Sequence, residues 1–381
     1  MHLLSKLFPD TGKILLTGTG KQFVERIGVE KVRQVILSVM MGENIRNQSE
    51  PLSRRRIAQI SGALVVLFAR GCLQTEDFID KLSPIAAGQL TTAKKNDIVA
   101  VWPAQWLLGL TNKAVQNVLR NDHAALDTYL RDFDLAIKES AFKCRKELGD
   151  IRMSLGFIED KTGRQIALDW EGIIRLTTAI GSQTLTIRGS DKSLFGKLFE
   201  RLILGSFLTI MDFERVNPLT NNKTENVFWL SDSSDIRESD ATLLIRPGKL
   251  ARFDIGFIGP GNSEISKDKL SRFARELETD SGRSSSVTFI VVDRLPNTGK
   301  TKKAAEKIGA EIIQMSMQYW PKDLAIRLGR RLKIKHELQN MPDNKIRDYM
   351  ASKLSTIPVQ DFLSTVSFAD IEAEITEEET L

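Results

Sequence analysis

The chain has 381 residues, 41% of them hydrophobic, and a formal net charge of +5 from 54 basic and 49 acidic side chains. That length supports full cores and points to two domains, while the longest apolar run, residues 62–68, is too short to span a bilayer and no signal-peptide pattern opens the chain, so a soluble cytoplasmic protein without membrane partners is expected. Cys72 and Cys144 lack C-x-x-C spacing and His2, His123 and His336 are scattered, which argues against a disulfide framework, a zinc site and a histidine-based triad and leaves carboxylates and lysines for any chemistry. Six acids lie between Asp370 and Glu379, and without them the rest of the chain carries +11, a balance that favours polyanion partners and is also compatible with ordinary solubility charge.

Residues 1–150 place Phe23, Ile27, Val29, Val32, Val35 and Ile36 at helical spacing and predict a helical domain, suited to DNA recognition or dimerisation. Within it, Ser53-Arg54-Arg55-Arg56 opens an amphipathic helix whose cations can meet phosphate or base edges, although a solvated helix start is the plainer reading. Trp102 and Trp106, four residues apart on an apolar face, read as core. Thr17 to Lys21 has the glycines of a dinucleotide loop but no strand before it.

A turn-rich break at residues 149–164 starts a second domain, 151–335. Its predicted elements are a short alternating strand at Gln183–Arg188, an apolar helix at Ser193–Ile210, a strand at Val227–Leu230, a hairpin at Thr242–Ile258 and a helix at Ser266–Glu278. A buried-type strand follows at Val287–Asp293, then a helix at Thr301–Ile308, a strand at Glu311–Met315 and a helix at Pro321–Leu332. Strands alternating with helices in this order give an α/β class with an α+β mixed sheet and flanking helices. Residues 336–381 form a helical and acidic tail. Asn297 to Thr301 imitates a P-loop, but Arg294 stands where its first glycine is required; Lys300, with Lys302 and Lys303, reads instead as a basic surface for the DNA backbone or for solvent.

The hairpin carries the chemistry. Asp240 and Asp254 fall on adjacent strands, and carboxylates fixed on rigid strands are what a nuclease uses to hold a divalent metal against a phosphodiester. Alternation puts Asp254 and Gly256 on one face, and the glycine leaves room beside the acid for a metal or a phosphate. Whether Asp240 shares that face depends on the turn at Pro247-Gly248. A plain two-residue connection pairs position 241 with 254 and opposes the aspartates, whereas a three-residue loop or a bulge restores a shared face. After the hairpin come Glu264, Lys267 and Lys269 at a helix start, where the acid can bind metal or satisfy the helix dipole and the lysines can meet phosphate or water. Glu200, one of few charges in its apolar helix, is either a further catalytic acid with a buried partner or a snorkelling surface side chain.

This element order, with Asp240 and Asp254 on the hairpin, resembles the PD-(D/E)XK nuclease superfamily. It departs from the superfamily pattern at Ser239, where proline is usual, and at Gly256, where lysine is usual. The stretches 238–242, 253–269 and 196–202 are more specifically similar to type II restriction endonucleases of the CfrBI kind, and the similarity runs through most of the chain, including the Ser53–Arg56 helix. The resemblance implies a restriction-endonuclease-like core that hydrolyses double-stranded DNA at a short sequence with Mg²⁺ and leaves 5′-phosphate ends. It also implies Asp240 and Asp254 as metal ligands, Glu264 sharing the ion, and Lys267 or Lys269 replacing the absent lysine. A homodimer on a palindromic site is expected, with a cognate DNA methyltransferase acting on that site without direct binding. The rivals are a non-specific or repair nuclease, a non-catalytic DNA-binding protein, and a structural protein that binds no DNA.

Overall fold

The spacing of apolar residues that predicts helices in the first third does produce them, in a computed structural model that describes residues 2–111, 123–149, 153–154, 167–231, 239–257, 285–293, 310–368 and 371. The chain divides into two compact units: Met1–Gly18 with Ser53–Asp191 and Ser367–Leu381, and Thr19–Leu52 with Lys192–Val366.

The first unit is mainly helical. Its helices include Asp10–Thr17, most of Ile45–Gln74, Phe78–Thr92, Ile98–Leu107, His123–Leu148 and the first half of Trp170–Ile210. Two short strands, β1 (Met153–Ser154) and β2 (Ala167–Leu168), pair antiparallel. Trp102 and Trp106 are core, as expected, with ring centroids 5.8 Å apart and the Trp106 indole N–H donating to Thr186 Oγ1 at 3.2 Å. One 18-residue window of Ile45–Gln74 is long and apolar enough to match a membrane span, with mean hydropathy 1.5. The unbroken run 62–68 understates it because polar residues interrupt the pattern, and the helix buries Ile60, Leu64, Leu67 and Phe68 inside the protein as a core helix does.

The strand expected at Gln183–Arg188 is not formed; those residues lie inside the 41-residue helix Trp170–Ile210. Leu176, Ala179, Gln183 and Ile187 are buried at helical spacing, so packing overrides the β-branched alternation. A polar residue in the middle of that stripe masks it in the sequence. The threonines are accommodated by bonding back along the helix, Thr184 Oγ1 to the Ile180 carbonyl at 2.9 Å and Thr186 Oγ1 to the Ser182 carbonyl at 2.9 Å.

The second unit holds the sheet. Strands β3 (Glu214–Arg215), β4 (Val227–Leu230), β5 (Ala241–Arg246), β6 (Lys249–Gly256), β7 (Ser285–Val292) and β8 (Glu311–Gln314) follow one another in space in that order. β3 pairs parallel with β4, the pairs β4–β5 and β5–β6 are antiparallel, and β6, β7 and β8 are parallel. Val227–Leu230 matches its expected bounds, β5 to β8 fall within two residues of theirs, and β3 has no counterpart among the expected strands. One face of the sheet carries an apolar block: Ala241, Leu243, Ala251, Phe253, Ile255, Phe289, Val291 and Ile313 share it by register and are buried. The closing helix Trp320–Leu332 has Pro321 in its first turn, as its sequence demands. Trp320 anchors it, its ring 6.1 Å from Phe207 and its N–H donating to the Val39 carbonyl at 2.9 Å. Thr19, in the glycine-containing stretch 17–21, is the N-cap of the helix Gly20–Ile27 and forms a capping box with Gln22. A mixed α/β architecture with flanking helices and a helical N-terminal region, consistent with a restriction-endonuclease-like core, is therefore present. The helices expected at Ser266–Glu278 and Thr301–Ile308 lie outside the described residues.

Candidate active site

Proline followed by glycine sets the geometry of the hairpin. Arg246 pairs with Lys249 across the two-residue turn Pro247-Gly248, and Gly248 takes φ 78, which only glycine adopts without strain. Such a turn alone would oppose the two aspartates. The register shifts by one residue between Leu244 and Arg246, however, so Leu244 faces Leu250 and Ala241 faces Phe253. Of the two expected alternatives, a three-residue loop or a bulge, the bulge is formed, at Ile245. One step further along this register Asp240 stands opposite Asp254, on the same face.

Direct contact supports that placement. Asp240 Oδ2 accepts the backbone N–H of Ile255 at 2.7 Å, so its carboxylate caps β6 immediately after Asp254. The approach to β5 is held by Ser239, buried where a proline is usual. Its hydroxyl donates to the Ala241 carbonyl at 3.2 Å and lies 3.2 Å from Thr242 Oγ1, while Ser231 Oγ donates to the Ser239 carbonyl. Asp254 is 0% exposed, on a central strand covered on both faces. A carboxylate at that depth requires compensating charge or donors.

The face bearing Asp254 is more polar than its opposite. Its rows run Thr242, Arg252 and Thr288; then Asp254, Ile290 and Ile312; then Gly256, Val292 and Gln314. Arg252, two residues before Asp254, is thus a cation on the candidate face that sequence reading missed; strand alternation alone would have found it. Asp293 was also missed as a candidate. It is a buried acid closing β7, its N–H donates to the Gly256 carbonyl at 3.3 Å, and its Oδ2 accepts from Asn44 Nδ2 at 3.5 Å. An acid ending an otherwise apolar strand was its signal.

The remaining expected residues divide clearly. Glu200 is half-buried on the Trp170–Ile210 helix beside Arg201, which donates to the Phe362 carbonyl at 3.3 Å. Glu264, Lys267, Lys269, Lys300, Lys302 and Lys303 lie outside the described residues. Arg54 and Arg55 are exposed. Arg56 corrects the expectation of a DNA contact: it is 0% exposed, its NH1 meets Asp191 Oδ1 at 2.6 Å, and its Nε and NH2 donate to the Leu15 carbonyl at 3.2 and 3.0 Å. A guanidinium so enclosed holds the helical unit together and does not reach phosphate. Its spacing of four from Ile60, on the stripe of Ile60, Leu64 and Leu67, would have placed it inward.

Among the described residues no group of three or more His, Cys, Asp or Glu side chains converges. The Asp240 and Asp254 pair offers only carboxylate oxygens, a donor set that suits a hard divalent cation and not zinc or copper.

Comparison with known proteins gives the family. The family model of the CfrBI restriction endonuclease matches residues 29–300. The chain is 30% identical over 377 residues to the type II restriction enzyme CfrBI of Citrobacter freundii, covering 93% of this chain and 97% of that one. No solved structure matches. Type II restriction endonucleases generally use a divalent metal and take DNA as substrate. The chain therefore belongs to the CfrBI restriction endonuclease family and is a type II site-specific DNA endonuclease.

Proposed function

We propose that the cofactor is Mg²⁺ and that Asp240 and Asp254 are the residues that bind it at the scissile phosphate. The observation that supports this reading is the bulge-corrected register, whose continuation one residue beyond Ala241 and Phe253 aligns Asp240 with Asp254, together with the 2.7 Å bond from the Ile255 N–H to Asp240 Oδ2. When bound, the ion supplies charge neutralisation at the phosphate and lowers the pKa of water. Asp240 is oriented by the hydrogen bond that its Oδ2 accepts from the Ile255 N–H. Asp254 is held by a strand paired on both sides and needs no reorganisation to act. Gly256 leaves the backbone open beside it, and Ile290 and Val292 keep the neighbouring rows dry. Glu264 would share the ion, Glu200 would be a further acid, and Lys267 or Lys269 would orient the attacking water and stabilise the charge on the pentavalent phosphorus in place of the lysine absent at Gly256.

The products are 5′-phosphate ends. Arg54, Arg55, Lys300, Lys302 and Lys303 contact the DNA backbone, and a homodimer on a palindromic site in the cytoplasm cuts both strands. A cognate methyltransferase protects the same site without binding this protein. The test is digestion of unmethylated phage DNA by wild type and Asp254→Ala, with and without Mg²⁺. Discrete Mg²⁺-dependent fragments lost in the variant are expected; a smear would favour a non-specific nuclease, and intact DNA despite binding would favour a non-catalytic DNA-binding protein.

A further inference from the structure

Asp240 stands one residue before β5, beyond the last residue pair that joins β5 to β6. A carboxylate there is held only as well as the main chain beneath it, because the ends of a ladder open more readily than its centre. That main chain is fixed from the β4 side. Leu230 pairs with Ala241, and one residue further the Ser231 N–H donates to the Asp240 carbonyl at 3.2 Å. Ser231 Oγ donates to the Ser239 carbonyl as well, so one serine ties down two consecutive carbonyls of the approach to β5.

Ser231 is held in its turn by Arg201. The Arg201 NH1 donates to the Ser231 carbonyl, and its Nε donates to the Phe362 carbonyl at 3.3 Å. Arg201 is 9% exposed and lies on the helix Trp170–Ile210, where Leu198, Leu202 and Leu204 are buried around it. A guanidinium is planar and its donors are charged, so it holds carbonyls more firmly than a neutral side chain does. The bonds form one series: Arg201 to Ser231, Ser231 to Ser239 and Asp240, and the Ile255 N–H to Asp240 Oδ2 at 2.7 Å. Joining the helix to the 3₁₀ turn Val359–Leu363 accounts for the Phe362 bond. It does not account for the second donor, which lands on the residue that fixes Asp240.

We propose that Arg201 is a positioning residue for the acid pair: through Ser231 it fixes the main chain at Asp240, and with it the direction of the carboxylate, while touching neither ion nor DNA. Its purpose rests on the reading of Asp240 as a metal ligand. A ligand has to stay within about 0.5 Å of its binding geometry, so a shift at Ser231 passed on to Asp240 is enough to weaken the site.

The test uses the full chain without DNA and Mn²⁺ as the probe, its binding followed by electron paramagnetic resonance. Wild type, Arg201→Met, Asp240→Asn and the double variant are compared, and amide hydrogen exchange at Ile255 is measured against the amides of β7. Arg201→Met should weaken Mn²⁺ binding by about 10- to 100-fold, the usual scale for removing a group that orients a ligand. Exchange at Ile255 should quicken while β7 keeps its wild-type rates. In the Asp240→Asn background the same substitution should leave Mn²⁺ affinity where it is, which a general loosening of the fold would not do. With Mg²⁺ and DNA, kcat should fall by about tenfold or more at unchanged KM. Where Arg201→Met does not fold, Arg201→Lys keeps a buried cation with a single point donor and should show the same changes to a smaller degree. Wild-type Mn²⁺ affinity or wild-type Ile255 exchange in the Arg201 variant overturns the proposal, as does an equal loss of affinity in the Asp240→Asn background. Failure of the metal reading is separate: Asp240→Asn would then bind Mn²⁺ as wild type does, and exchange at Ile255 would still decide whether Arg201 holds Asp240.

Discussion

Asp240 and Asp254 stand opposite each other because β5 contains one residue more than β6 needs at Ile245, and each aspartate is then held in a different way. Asp254 is fully enclosed, so an isosteric neutral replacement tests its charge without disturbing its packing. Asp254→Asn should lower the cleavage rate by at least about 10²-fold, the usual scale for removing one preorganised electrostatic contact, while the melting temperature holds or rises because a buried charge is gone. Cleavage at the wild-type rate, measured by gel assay with Mg²⁺, would remove Asp254 from the site. Arg56 calls for the opposite experiment. Its partner Asp191 is 4% exposed, so Arg56→Met leaves an uncompensated buried carboxylate and should destabilise the fold by about 3–5 kcal/mol in urea titration. The double variant Arg56→Met, Asp191→Leu should recover much of that loss. A DNA-contact role would instead show as weaker binding with unchanged stability.

At the scale of the element, the hairpin is the part most exposed to a single change. Inserting one residue between Leu243 and Leu244 keeps the bulge at Ile245 and slips the rest of β5 by one residue, which turns Ala241 and Leu243 away from the apolar face and separates Asp240 from Asp254. The expected product is insoluble or inactive, and a soluble insertion variant with wild-type cleavage would show that register does not matter. Gly248→Ala, at φ 78, should cost about 1 kcal/mol and leave activity intact, since the turn is remote from the acids. Most strands were legible in the sequence because β-branched runs and turn residues act locally; Val227–Leu230 is one such run. Gln183–Arg188 was not, because a buried glutamine bonded to Ser61 Oγ at 3.0 Å sits inside the helical stripe. Its partner comes from a residue 122 positions away, which no local pattern contains.

For the molecule as a whole, acid sensitivity has a named contributor at the edge of the sheet. Burial by itself raises the Glu311 carboxyl, but hydrogen bonds and charge from Arg331 and Arg327, at 2.8 and 2.9 Å, outweigh it and hold the group below its ordinary value of 4.5. A carboxyl lowered on folding adds stability above its unfolded pKa and loses that contribution as pH falls through the folded one. Thermal melts of wild type should therefore decline more steeply below pH 4.5 than those of Glu311→Gln, and parallel curves would contradict the pairing. Composition, strand alternation and the Pro247-Gly248 turn were enough to determine a mixed α/β chain with an acid-bearing hairpin and carboxylates in place of histidine chemistry, because hydrophobic period and turn preference are properties of neighbours in sequence. Sequence also narrowed the placement of Asp240 and Asp254 to a shared or an opposed face. Only the tertiary structure decided between them, buried Arg56, made 183–188 helical and set Arg252 and Asp293 beside the acids, because each outcome depends on the register or packing partner supplied by residues far along the chain.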